Sequence, residues 1–336
     1  MSVLDSVEWS KQAAWKNVGT QVENRHNIQA ALQEAGVAYG TPVKEQMASV
    51  LEDGTIMRVP GRYNLHRPDT GAIVGTDVTS RYQPVAFEEA LGIFDGVAES
   101  GRIEYDSVIT KSGGSEIFVS ARLPDQEFDV VEGDTISPWM WMRASHNSTA
   151  SICSLLSLDR AMSCDNQWTA AMGKSNHIVK VRHTKSARWK VEQYADSIVD
   201  TMTTQVEQQK TLCRQLAGTS MGVIDFDNFL EKLFPMPKEP AEGEPTRGWT
   251  IATHRRELLD ELFIAGRGQD IPGVRYTRWA ALNAVTEYTT HHMNTKTGVE
   301  RDDPRYAQKR DMRLAESSLF GGGATINKRA LALLTA

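Results

Sequence analysis

Apolar residues run through this chain with two periods, and the change from one to the other outlines its architecture. Ile28, Ala31, Leu32 and Ala35 recur at helical spacing before Gly36, so residues 8–40 read as an opening loop and a short helix. Residues 55–59 and 72–78 read as short extended pieces around the turn-rich Arg67-Pro68-Asp69-Thr70-Gly71. After Gln83-Pro84, the spacing of Phe87, Ala90, Leu91 and Phe94 predicts an amphipathic helix ending near Ser100-Gly101. Alternation then takes over. Residues 103–110 and 116–123 flank Lys111-Ser112-Gly113-Gly114-Ser115, and residues 134–145 and 149–158 flank His146-Asn147-Ser148, which predicts two β-hairpins. Trp139 and Trp141 alternate with Met140 and Met142, so two aromatics share one strand face, packed in a core or open as a stacking surface.

Past the strands, residues 161–172 read as a helix, and residues 177–183 as a short strand with Lys180 and Arg182 on one side. Val191, Tyr194, Ala195, Ile198, Met202, Val206 and Leu212 are spaced by threes and fours, which predicts a long helix over 186–217. Residues 235–248, rich in proline and glutamate, read as a linker. Residues 253–264, 280–292, 305–319 and a stretch from Asn327 read as helices. The fold class this order implies is α+β: an antiparallel hairpin sheet packed on a long helix within residues 1–234, then a helical segment over 249–336.

With 40% hydrophobic and 24% charged residues over 336 positions, the composition is that of a globular chain with a sizeable core. No run of 18 apolar residues occurs, so no membrane contact is expected. The start, Met1-Ser2-Val3-Leu4-Asp5, has no basic and apolar regions of a signal peptide. Cys153, Cys164 and Cys213 are too few and too oddly spaced for a disulfide framework or a zinc site. Buried reduced thiols in a cytosolic protein follow from that usage.

The net charge of -6 excludes a protein that coats nucleic acid by bulk charge, and it makes one stretch conspicuous. The 26 residues 166–191 carry six cations, Lys174, Lys180, Arg182, Lys185, Arg188 and Lys190, and no carboxylate. His183 and Trp189 lie among them. Cations for phosphates beside an aromatic face for unstacked bases suit a single-stranded nucleic acid; a solvated helix face is the plainer reading. Lys185, Arg188 and Lys190 also stand at the start of the long helix, where cations meet the positive end of the dipole and a docked anion would relieve the conflict. Near the end of the chain, Phe320-Gly321-Gly322-Gly323-Ala324 feeds a basic helix start at Lys328-Arg329, either a phosphate cradle or an ordinary reversal. Gly266-Arg267-Gly268 follows a helix and fails as a dinucleotide fingerprint, and Asp225 with Asp227 reads as helix capping. Glu287, His291 and His292 share a helix turn and form the one candidate metal cluster, which a polar helix face explains more cheaply. No catalytic constellation emerges, and no cofactor is expected.

Five blocks carry a resemblance. They are Arg81-Tyr82-Gln83-Pro84-Val85, Cys164-Asp165-Asn166, Arg182-His183-Thr184-Lys185-Ser186, Asn283-Ala284-Val285-Thr286-Glu287-Tyr288, and Phe320-Gly321 through Lys328-Arg329-Ala330-Leu331. In this order they resemble a family of phage/plasmid-like proteins of unknown function, over residues 50–334. After Cys164-Asp165-Asn166 the family has threonine where this chain has Gln167. The resemblance implies a phage, prophage or plasmid setting and no defined activity. More loosely, hairpins followed by a long helix with cations at the junction are similar to ring-forming single-strand annealing proteins, which hold one DNA strand in a basic groove around an oligomer. The expectation is therefore an oligomeric single-stranded DNA-binding or annealing protein of recombination or replication, in ring form, with no enzymatic activity. The alternatives are a metal-dependent nucleic-acid-processing enzyme built on Glu287 and His291, or a host-interaction protein.

Overall fold

The computed structural model describes residues 18–147, 152–160, 165–169, 179–181, 195–240, 246–294 and 296–336. The chain is α+β, as its two periods predict. It opens with strand β1 (Thr20–Gln21) and helix α1 (Ile28–Glu34), whose N-cap Asn27 accepts from the Ala30 amide. Strands β2 (Val43–Val50), β3 (Ile56–His66) and β4 (Ile73–Thr79) form a small antiparallel sheet. Short helices α2 (Phe87–Leu91) and α3 (Asp95–Glu99) lead to the large sheet.

That sheet is built from β5 (Glu104–Lys111), β6 (Glu116–Arg122), β7 (Phe128–Asp129), β8 (Thr135–Ser145), β9 (Ile152–Arg160), β10 (Asp165–Thr169) and β11 (Val179–Val181). Its order is β1-β5-β6-β8-β9-β10, all antiparallel, with β7 beside β8 and β11 beside β9. Both predicted hairpins are present, as β5–β6 and β8–β9.

Helix α4 (Ala195–Ala217) follows, then α5 (Val223–Leu233), α6 (Arg247–Ala265), α7 (Arg278–Glu287), α8 (Tyr306–Phe320) and α9 (Gly322–Thr335). The period of two in β8 sorts its side chains between two cores. Met140 and Met142 join Val119, Leu156 and the α4 residues Ile198, Met202 and Val206 on one face. Trp139 and Trp141 join Ile109, Phe118 and Leu155 on the other, under Leu314, Ala315 and Leu319 of α8. Both tryptophans are buried, which decides for core over stacking surface.

One buried ion pair fastens the late helices to the sheet. Arg160, at the end of β9, and Asp134, just before β8, are fully buried. The guanidinium donates twice to the carboxylate, at 2.5 and 2.8 Å. Its remaining N–H groups reach the Arg267 and Gly268 carbonyls at 2.8 and 3.0 Å, and the Trp279 indole donates to Asp134 Oδ2 at 2.7 Å. Every nitrogen of the guanidinium thus donates at least once, which is what makes its buried charge tolerable. Gly268 has φ +68, and a Cβ there would lie 2.8 Å from Arg160 Nη2, so glycine is required twice over. The Gly266-Arg267-Gly268 motif is thus a cap for a buried arginine.

Two sequence expectations need correction, and one strand went unpredicted. Residues 165–169, read as helix, form β10, which pairs with β9 through a bulge between Asn166 and Trp168. The open edge of β9 offers hydrogen bonds there, and Asp, Asn, Trp and Thr are poor helix formers that leave the backbone free to take them. Strand β2 was not foreseen, because its residues are exposed or half-exposed on both faces and show no alternation. The helix expected over 280–292 changes after Glu287 into a π-helical turn, Tyr288–His292. The start of the predicted long helix, residues 186–194, lies outside the described residues.

Candidate nucleic-acid interface

Where α8 ends, a cleft of about 520 Å³ opens beside the tryptophan face of the sheet. It is lined by Arg143, Lys296, Arg313 and Glu316, and by Ser317, Gly321 and Gly322 of the reversal into α9. The Ser317 carbonyl accepts from the Gly321 amide at 3.1 Å, and its hydroxyl from the Gly323 amide at 3.0 Å. A Cβ on Gly321 would stand 3.1 Å from Ser317 Cα, and one on Gly323 would stand 3.1 Å from the Ser317 oxygen. A side chain at either position would crowd the Ser317 backbone, so glycine eases the tight passage, and the passage brings the start of a 14-residue helix to the cleft.

The charges are arranged in a chain. Arg143 Nε donates to Glu116 Oε1 at 2.6 Å, and its guanidinium lies 5.3 Å from the Phe118 ring centre. Glu116 is buried, and Lys111 stands 3.7 Å from it while donating to Glu316 at 2.6 Å. Arg313, 53% exposed, approaches Glu316 at 3.5 Å. Lys296 is exposed and has no ion pair among the described residues. Four cations thus face two carboxylates, a positive surplus on an acidic protein.

The sheet carries this charge toward the basic island. In the ladder Phe118 stands opposite Arg143, Arg143 opposite Cys153, and Cys153 opposite Lys180 of β11. Two strand spacings of about 4.8 Å put the Lys180 backbone about 10 Å from that of Arg143.

Of the cations the sequence nominated, Lys180 holds this register position. Lys174, Arg182, His183, Lys185, Arg188, Trp189 and Lys190 lie outside the described residues. Lys328 and Arg329, on α9, are exposed but do not line the cleft. Arg329 donates instead to the Lys232 carbonyl at 2.6 Å, covering an open carbonyl in the last turn of α5. The glycine loop does meet cations, but they are Arg143, Lys296 and Arg313. Nothing in the sequence marks those three, which come from separate segments.

Glu287 serves the fold. It is fully buried, its Oε2 accepts from the Arg267 amide at 3.1 Å, and Oε1 stands 3.9 Å from Arg267 Nε. No group of three His, Cys, Asp or Glu that could hold a metal occurs among the described residues. Nor is any described helix long and apolar enough to cross a membrane.

No curated protein and no solved structure matches the chain. A family model does match, over residues 76–315, which include β5 through most of α8 and the cleft cations Arg143, Lys296 and Arg313: the chain belongs to the DUF932 family, a domain of unknown function.

Proposed function

We propose that this protein binds single-stranded DNA through its phosphates, as an oligomeric binding or annealing protein of phage- or plasmid-borne recombination or replication in a bacterial cytoplasm. The observation that carries the reading is the cationic surplus of the cleft, with the register row leading to Lys180, a member of the basic island in sequence. Phosphate contacts need only well-placed cations, so the reading requires neither a cofactor nor a metal. Arg313, Lys296 and Lys180 neutralise phosphates, and the cations around Arg182, Lys185 and Arg188 extend the track. Base stacking falls to Trp189 or His183, since Trp139 and Trp141 are enclosed by α8.

Self-association is supported by the β2–β3 hairpin. Val50 is 71% and Ile56 69% exposed at its tip, with Leu51 and Met57 beside them. Clustered exposed apolar residues on a projecting strand pair favour cover by another surface. The phage or plasmid setting rests on the five sequence blocks.

The test is fluorescence anisotropy of a labelled oligo-dT against salt. Lys296→Ala and Arg313→Ala together should weaken binding and flatten the log–log salt slope by about 0.7 per lost contact. An unchanged affinity and slope would remove the cleft from the DNA path.

A further inference from the structure

We infer that Glu316 keeps a single phosphate from occupying the cleft, while a chain of phosphates still binds, by acting as a built-in carboxylate competitor. The inference rests on the DNA-binding reading above. Glu316 lines the cleft, accepts from Lys111 at 2.6 Å and holds Arg313 at 3.5 Å. Residues 313 and 316 are three apart on α8, so both project to one side of the helix. Lys111 is shared with the buried Glu116, which also holds Arg143. The internal carboxylates therefore engage Lys111, Arg143 and Arg313, and leave Lys296 as the cation with no internal partner among the described residues.

An incoming anion has to take Arg313 from Glu316. A tethered carboxylate competes at high effective concentration, so an isolated phosphate that gains one or two contacts does not displace it. A strand reaches Lys296, Arg313 and the row toward Lys180 at once, and its linked contacts outweigh the competitor. Competition by Glu316 costs some affinity, and removing its charge should reveal that cost.

The experiment uses the full chain, a labelled dT oligonucleotide and inorganic phosphate as the small anion. Glu316→Gln should bind the oligonucleotide about fivefold more tightly at low salt, the worth of one unit-charge contact near 4 Å in a water-like medium. The difference should close toward 1 M salt, where the screening length falls to about 3 Å. Inorganic phosphate titrated alone by calorimetry should bind Glu316→Gln several-fold more tightly than the parent. Glu316→Met is a second neutral variant, suited to the apolar pocket of Phe118, Met312 and Leu319 beside the cleft; it should behave like Glu316→Gln. Glu316→Asp keeps the charge and should behave like the parent. Unchanged or weaker strand binding in both neutral variants, while Lys296→Ala and Arg313→Ala still weaken it, would overturn the competitor and spare the cleft. Equal tightening by Glu316→Asp would also overturn it, because charge would not be the cause. Loss of effect in Lys296→Ala and Arg313→Ala would overturn both.

Discussion

The ion pair of Arg160 with Asp134 lets the coupling between sheet and late helices be measured. Replacing Asp134 with asparagine keeps size and shape but removes the charge that compensates a fully buried guanidinium. Breaking a buried pair from one side costs about 3–5 kcal/mol, because the surviving ion is stranded in a weakly solvating interior. The two carbonyls that also bind Arg160 soften the loss, while the weakened Trp279 contact adds to it. The expected penalty is about 4 kcal/mol. With an unfolding entropy of about 2.1 cal/mol/K for each of 336 residues, that lowers the melting temperature by about 6 °C. Trp279→Phe keeps the ring in its core and deletes one hydrogen bond to a charged group, about 1.5–3 kcal/mol. Asp125→Asn, on the exposed turn before β7, should stay within about 0.5 kcal/mol and serves as the control. Calorimetry supplies the second readout. Because the pair joins β8 and β9 to the 267–268 loop and α7, parent and variants should show one transition with sheet and helices melting together. A penalty below about 1 kcal/mol for Asp134→Asn, or separate transitions for sheet and helices, would refute the reasoning.

Three further outcomes are expected. Arg67 donates to Asp69 and holds its carboxyl down at about 2, while its guanidinium lies 4.3 Å from the Tyr39 ring centre. A depressed carboxyl stabilises the fold above its unfolded value and loses that effect as pH falls toward 2, so parent and Asp69→Asn should differ in melting temperature at pH 6 and converge near pH 2. A gap that persists at pH 2 would count against this pairing. Charge at the hairpin tip, as in Ile56→Asp with Met57→Asp, should lower the mass found by light scattering; a parent mass near 37 kDa at micromolar concentration would end the oligomer reading. Trp189→Ala should weaken oligonucleotide binding by about 1–3 kcal/mol with little change in melting temperature, and a destabilised variant with full affinity would make Trp189 a core residue.

What could be read from the sequence was what a single segment encodes. Alternation in 103–158 gave both hairpins, and the shared face of Trp139 and Trp141 followed from the pleat alone. Strand β10 was misread because its pairing is supplied by β9, not by its own pattern. Strand β2 was missed for a related reason: a hairpin that buries neither face has no apolar stripe to announce it. The basic island was legible because its cations are contiguous, whereas Arg143, Lys296 and Arg313 reach the cleft from a strand, a loop and a helix of different segments. The glycine run links the two cases. Its composition signals a close passage, and its carbonyl and hydroxyl contacts to Ser317 belong to that passage, but only the packing of α8 on the sheet sets Arg143 in front of it. A register row then joins that local packing to Lys180. One strand slipped by a single residue would send Arg143 to the opposite face, so the cleft depends on the same hairpin register that buries Trp139 and Trp141. Core and cleft are specified together, which is why an acidic chain can hold a cationic site without a charge run at the site itself.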